Sequence, residues 1–111
     1  MIKAVFKVSE GEYTGFCISG HSGYAQSGSD IVCAAVSSAV DFCLTLVCDV
    51  KKIPNALSVC EQNAQIVFDL EIDASKEQRD EFSAIVEALY THLCGIAADY
   101  SKNVSCIITE V

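Results

Sequence analysis

One histidine and one cysteine, His21 and Cys33, stand twelve positions apart with a glycine-rich segment between them. His21 lies between Gly20 and a Ser-Gly pair, where the backbone is free to fold back over the start of the next element. Cys33 comes shortly after Ser29 and Asp30, which favour a helix start, and it opens a long apolar stretch. A helix N-terminus and a nearby imidazole both stabilise a thiolate. The pair therefore indicates a cysteine nucleophile assisted by a histidine.

Two other polar residues near this pair have both an ordinary and a functional interpretation. The helix macrodipole favours Asp30 at a helix start, but its carboxylate could also orient the His21 ring. A carboxylate beside a thiolate is unfavourable, so we expect Asp30 to point away from Cys33. Ser37, one helical turn beyond, could hydrogen-bond near the sulfur or back to a carbonyl. The second histidine, His92, falls late in a predicted helix, where we expect it to cap or pack.

The elements that position these residues follow the order ββαββαβ. Alternating apolar residues predict strands over residues 2–8, 13–19, 56–60, 64–72 and 104–111. Helical spacing predicts a first helix from an N-cap at Ser29 to about Val50. A second helix begins at a capping box of Ser75 and Gln78 and can end at Gly95. The sequence thus predicts a single small α+β domain, residues 1–111, with two helices on a mixed, mostly antiparallel sheet.

Charge and cysteine usage exclude several classes of function. The formal net charge of -8 argues against direct nucleic-acid binding and favours a basic protein partner. The seven cysteines are odd in number and form no C-x-x-C pair, so we interpret them as reduced thiols in a cytoplasmic protein, with no metal or cofactor. Five polar residues interrupt the apolar stretch 31–50, so we do not expect it to span a membrane. No charged start is followed by a long apolar run, so we expect no signal peptide. We interpret six of the cysteines as packing residues: Cys17, Cys43, Cys48, Cys60, Cys94 and Cys106.

The stretch Gly20 to Ser37, GHSGYAQSGSDIVCAAVS, resembles the signature of the ribosomal-processing cysteine protease (Prp) family. Ser22 stands where the family most often has Ala, a change that leaves the chemistry intact. The resemblance implies that His21 and Cys33 form a catalytic dyad. It also implies a flexible substrate loop that contains Gly20, Gly23 and Gly28.

The resemblance further implies a substrate and an assembly. Members of the family remove the N-terminal extension of a large-subunit ribosomal protein, the twenty-seventh, and a homodimer would cover the first helix. In the mechanism that we expect, Cys33 attacks the scissile carbonyl and His21 protonates the leaving amine. N–H groups at the helix start, including that of Cys33, would hold the oxyanion.

Three alternatives remain open from the residues themselves. The first is a non-catalytic, ribosome-associated module that binds a basic protein. The second is a redox or metal-binding thiol protein, although no cysteine spacing supports it. The third is a small enzyme that binds phosphate at the junction between the glycine loop and the first helix.

Overall fold

A five-stranded sheet forms the centre of the computed structural model, which describes residues 1–21, 23–26 and 30–111. The strands are β1 (Ile2–Ser9), β2 (Glu12–Ser19), β3 (Asn55–Cys60), β4 (Gln65–Leu70) and β5 (Val104–Glu110). They lie in the order β3-β4-β2-β1-β5. β1 and β5 pair in parallel and every other pair is antiparallel. The predicted mixed, mostly antiparallel sheet is confirmed.

Two helices complete the predicted order ββαββαβ. The first, α1 (Ile31–Leu44), continues without a break into π-helical turns over Thr45–Val50. The second, α2 (Lys76–Asp99), begins at the predicted capping box: the Ser75 hydroxyl accepts from the Gln78 N–H, and the Gln78 side chain accepts from the Ser75 N–H.

The expected end of α2 at Gly95 is wrong. Gly95 does not adopt the positive φ of a helix-ending glycine, and the Tyr100 N–H still donates to the Ile96 carbonyl at 2.9 Å. Ile96 and Ala97 pack against the core, so tertiary contacts carry the helix past the glycine to Asp99. The tendency of glycine to end a helix is weaker here than the packing of the following residues against the core.

The core lies between the sheet and the helices. Alternate residues of the central strands are buried, as the period of a strand requires, and Phe6, Phe16 and Phe68 are fully enclosed. Their rings form a chain with centroids 5.6 and 5.4 Å apart, which continues to Phe82 of α2 at 5.6 Å. These contacts hold α2 on the strands that lead to the glycine loop.

Helix α1 buries one stripe and leaves apolar surface on its other side. Val32, Val36, Val40 and Val47 enter the core, whereas Phe42 is 73% exposed. By length and composition alone, Ile31–Val50 could cross a membrane, with a mean hydropathy of 2.2, and 28% of it is buried in this fold. In this fold it packs as a core helix that has an uncovered apolar face.

Candidate active site

A cleft of about 510 Å³ at the start of α1 brings together the side chains singled out from the sequence. His21, Asp30, Cys33 and Ser37 all line it, together with Gly23 and two alanines. Cys33 is half-buried, whereas His21 and Ser37 are exposed. Gly28 lies outside the residues that the structure describes, as do Ser22, Ser27 and Ser29. The loop and the helix start thus form one accessible site.

The N-cap of α1 is Asp30 and not Ser29. Asp30 has extended backbone angles, and its Oδ1 accepts from the N–H groups of Val32 at 3.0 Å and of Cys33 at 2.9 Å. Ser and Asp are similarly good caps, so the sequence alone left the start uncertain by one residue. With Asp30 as the cap, Cys33 becomes the third helical residue, one position nearer the helix N-terminus than expected.

This cap corrects one expectation for the chemistry. The Cys33 N–H donates to Asp30 and, in this conformation, is not available to an oxyanion. The Asp30 carboxylate faces the backbone N–H of Cys33. That it points away from the Cys33 sulfur stays a prediction. The ordinary interpretation of Asp30, as a helix cap, is the one that its hydrogen bonds support.

His21 follows a backbone turn that only glycine makes without strain. Gly20 has a φ of 91°, its N–H donates to the Ala64 carbonyl at 3.0 Å, and a Cβ there would overlap the Met1 carbonyl oxygen. Gly23 has a φ of 69°, and among the described residues nothing beyond its chain neighbours lies within 4 Å of where a Cβ would be. His21 is therefore carried on a short segment between two left-handed glycines, directly after β2 ends.

A contact that no sequence pattern indicated lies beside this segment. The ring of Tyr24 meets the ring of Tyr100 edge to face, with centroids 5.5 Å apart and planes at 89°. Tyr100 is the C-cap residue of α2, so the glycine loop touches the end of the other helix. Nothing local to either tyrosine signals this contact, because 76 positions separate them.

Burial raises the thiol pKa of three other cysteines, which is the opposite of what a nucleophile needs. All seven are reduced thiols. Burial raises the pKa of Cys43 to about 11 and that of Cys106 to about 12, and it also raises the pKa of Cys48. Such thiols are protonated at neutral pH and react slowly. Their environments agree with the interpretation of these three as packing residues.

The remaining candidate groups lie away from the cleft. His92 is on α2 and lines a separate groove between the two helices. Within residues 1–21, 23–26 and 30–111, no three His, Cys, Asp or Glu side chains are grouped as a metal would require.

Comparisons with known proteins identify the family of this chain. A family described as cysteine protease Prp matches residues 1–105. The chain is 26% identical over 104 residues to the ribosomal processing cysteine protease Prp of Bacillus subtilis, a match that covers 93% of each protein.

Solved structures share the fold across the whole chain. The ribosomal processing protease Prp of Staphylococcus aureus, in complex with a covalently linked product peptide, has a TM-score of 0.84 at 19% identity, and the match covers 100% of both chains. A Streptococcus mutans protein has a TM-score of 0.83 at 22% identity, covering 100% of this chain and 96% of its own. On the whole-length family match, the chain belongs to the ribosomal processing cysteine protease (Prp) family.

Proposed function

We propose that this chain is a cysteine endopeptidase that removes the N-terminal extension of a large-subunit ribosomal protein, the twenty-seventh, during ribosome maturation. The observation that carries the proposal is the shared cleft of His21 and Cys33, with Cys33 in the first turn of α1. Family membership makes a peptide bond the natural target of this thiol. The Staphylococcus aureus relative was crystallised with a substrate peptide and with a covalently linked product peptide, which supports a peptide as the ligand of the cleft.

The proposed reaction proceeds through a thioester. The Cys33 thiolate attacks the scissile carbonyl carbon, and a C–S bond forms as the carbonyl oxygen takes on negative charge. The C–N bond then breaks, and the His21 imidazolium gives its proton to the leaving amine. Water attacks the thioester with His21 as the base, which breaks the C–S bond and releases the peptide acid. His21 then carries the proton again beside the Cys33 thiolate.

The oxyanion must be held without the N–H groups of Val32 and Cys33, because both donate to Asp30. Ser37 lines the same cleft one turn further along α1 and is exposed, so its hydroxyl can reach a bound peptide. In this proposal Ser37 supports the substrate, and Asp30 acts by holding the helix start that presents Cys33.

Charge and thiol chemistry support the partner and the compartment in this proposal. The net charge of -8 would attract a basic ribosomal protein and raise its rate of encounter. Seven reduced thiols suit a reducing compartment, so we place the protein in the cytoplasm.

A homodimer is part of the same proposal. A groove of about 730 Å³ runs between α1 and α2, and its lining includes Ala39, Phe42, Leu46, Ile85 and Leu89. An apolar groove of this kind on a small domain marks an interaction surface. A second copy of the chain would cover the exposed face of α1.

Cleavage of a peptide that carries the host protein's N-terminal extension tests the function. We expect one cut, located by mass spectrometry, and at least a thousandfold loss of rate in Cys33→Ala and in His21→Ala. Cys48→Ala is the matched control on the same helix and should cleave at the parent rate. Binding of the ribosomal protein without any cleavage would favour the non-catalytic module instead, and full activity in Cys33→Ala would end the proposal.

A further inference from the structure

We infer that Tyr100 is a positioning residue for His21 and that it acts through the ring of Tyr24. The inference rests on the proposed function, because it assigns His21 the proton transfers of peptide cleavage. It starts from the edge-to-face contact of Tyr24 and Tyr100, at 5.5 Å between ring centroids and 89° between planes. Separations of 4.5–7 Å with perpendicular planes are the favourable geometry for two aromatic rings.

Tyr100 is a fixed support. Its N–H donates to the Ile96 carbonyl at 2.9 Å, and its own carbonyl accepts from the N–H groups of Asn103 at 2.8 Å and Val104 at 3.0 Å. Its side chain packs against the core, and Val104 opens β5. The backbone of Tyr100 is therefore held by both α2 and β5, and its side chain is partly buried against the core.

Tyr24 is held differently, because it belongs to the glycine loop. Its side chain is 47% exposed, so burial in the core does not fix its position. Gly23, directly before it, has a left-handed φ of 69°, a conformation that glycine adopts without steric cost. The contact with the ring of Tyr100 ties this part of the loop to the rigid body of the domain.

His21 thus lies in the chain between two described contacts, one made by Gly20 and one made by Tyr24. On one side, Gly20 donates to the Ala64 carbonyl and lies close against Met1. On the other side, Tyr24 rests on Tyr100. Loss of the ring contact with Tyr100 removes one of the interactions that hold Tyr24, and we expect the imidazole then to spend less time in the geometry needed for proton transfer to the leaving amine.

Kinetics of three variants test the inference. Tyr100→Leu removes the ring and keeps apolar volume, and we expect it to lower kcat about threefold to tenfold, with KM within twofold of the parent. Tyr100→Phe keeps the ring and should restore kcat to within twofold. Ile96→Ala loses core packing in the same last turns of α2 and keeps the ring pair, so it should lower the melting temperature but not kcat.

Three kinetic results would overturn the inference. The first is an unchanged kcat in Tyr100→Leu, and the second is an equal loss of kcat in Ile96→Ala. The third is a rise in KM alone, which would mean that the ring pair binds peptide and does not position His21.

A spectroscopic measurement separates this inference from the proposed function. The imidazole signals of His21 and His92 are observed by NMR in the parent and in Tyr100→Leu, without substrate. We expect the His21 signals to shift or broaden, while those of His92, on the far groove, stay unchanged. If the parent cleaves no peptide but the His21 signals change in this way, the proposed function is wrong. The inference that the Tyr24–Tyr100 contact positions His21 is then still supported. If the His21 signals do not change, that inference is wrong whatever the activity.

Discussion

At the scale of single residues, Asp30 has two opposing effects on the site. As the N-cap it satisfies two N–H groups of α1 and fixes the turn that presents Cys33. As a carboxylate at the same helix end it opposes a negatively charged sulfur. A cap without charge would separate the two effects, because Asn caps a helix about as well as Asp does.

We predict that Asp30→Ala lowers the free energy of unfolding by about 1 kcal/mol, whereas Asp30→Asn changes it by under about 0.5 kcal/mol. We also predict faster alkylation of Cys33 in Asp30→Asn, since the opposing charge is gone. Urea unfolding and mass-resolved iodoacetamide labelling measure the two effects. Equal stability of Asp30→Ala and the parent would show that the cap has no energetic role.

Gly20 and Gly23 are two loop glycines with the same left-handed backbone, so alanine substitutions at the two positions can be compared directly. Both have left-handed φ values, but only at Gly20 would a Cβ collide with backbone, at the Met1 carbonyl. We predict that Gly20→Ala lowers the free energy of unfolding by roughly 3 kcal/mol and Gly23→Ala by about 1 kcal/mol. Urea titration of both variants checks the ranking, and similar losses at the two positions would contradict it.

At the scale of the elements, α2 contains a glycine that its fold does not need. Gly95 is helical and exposed, with nothing within 4 Å of where a Cβ would lie. We predict that Gly95→Ala raises the free energy of unfolding by up to about 1 kcal/mol, because alanine loses less backbone entropy on entering a helix. Thermal or urea unfolding measures it, and a loss of stability would contradict the prediction.

Most elements could be predicted because their signals are local. Strand alternation located all five strands to within about two residues, and the box at Ser75 located the start of α2. The errors came where two local signals were equivalent or where packing decided. Ser29 and Asp30 are similarly good caps, so the sequence did not decide where α1 begins. Gly95 did not end α2, because Ile96 packs against the core and keeps the chain helical.

The candidate site was predictable for the same reason. His21 and Cys33 are only twelve positions apart and are separated by the glycine loop. A predicted helix start and a glycine-rich segment were therefore enough to suggest that both line one site, as they do. The contact of Tyr24 with Tyr100 was not predictable, because it depends on where α2 ends relative to the sheet. The engagement of the Cys33 N–H by Asp30 likewise needed the observed cap.

At the scale of the whole molecule, the proposed homodimer forms through the exposed apolar side of α1. We predict that the parent sediments at twice the chain mass of 11.9 kDa at micromolar concentration. Phe42→Glu places a charge in the groove between the helices and should sediment as a monomer.

Ile72→Glu is the matched control, because Ile72 is fully exposed but does not line the groove. It should remain dimeric. A monomeric parent, or dissociation by both variants alike, would contradict a dimer formed through this groove.

The most direct test of the whole account compares the reactivity of the seven thiols. Limiting iodoacetamide is added at neutral pH, and mass mapping gives the labelling rate of each cysteine in the parent and in His21→Ala. We predict that Cys33 is labelled at least tenfold faster than any other cysteine in the parent and that this advantage falls in His21→Ala. Labelling of Cys33 no faster than the rest, or unaffected by loss of His21, would contradict the account.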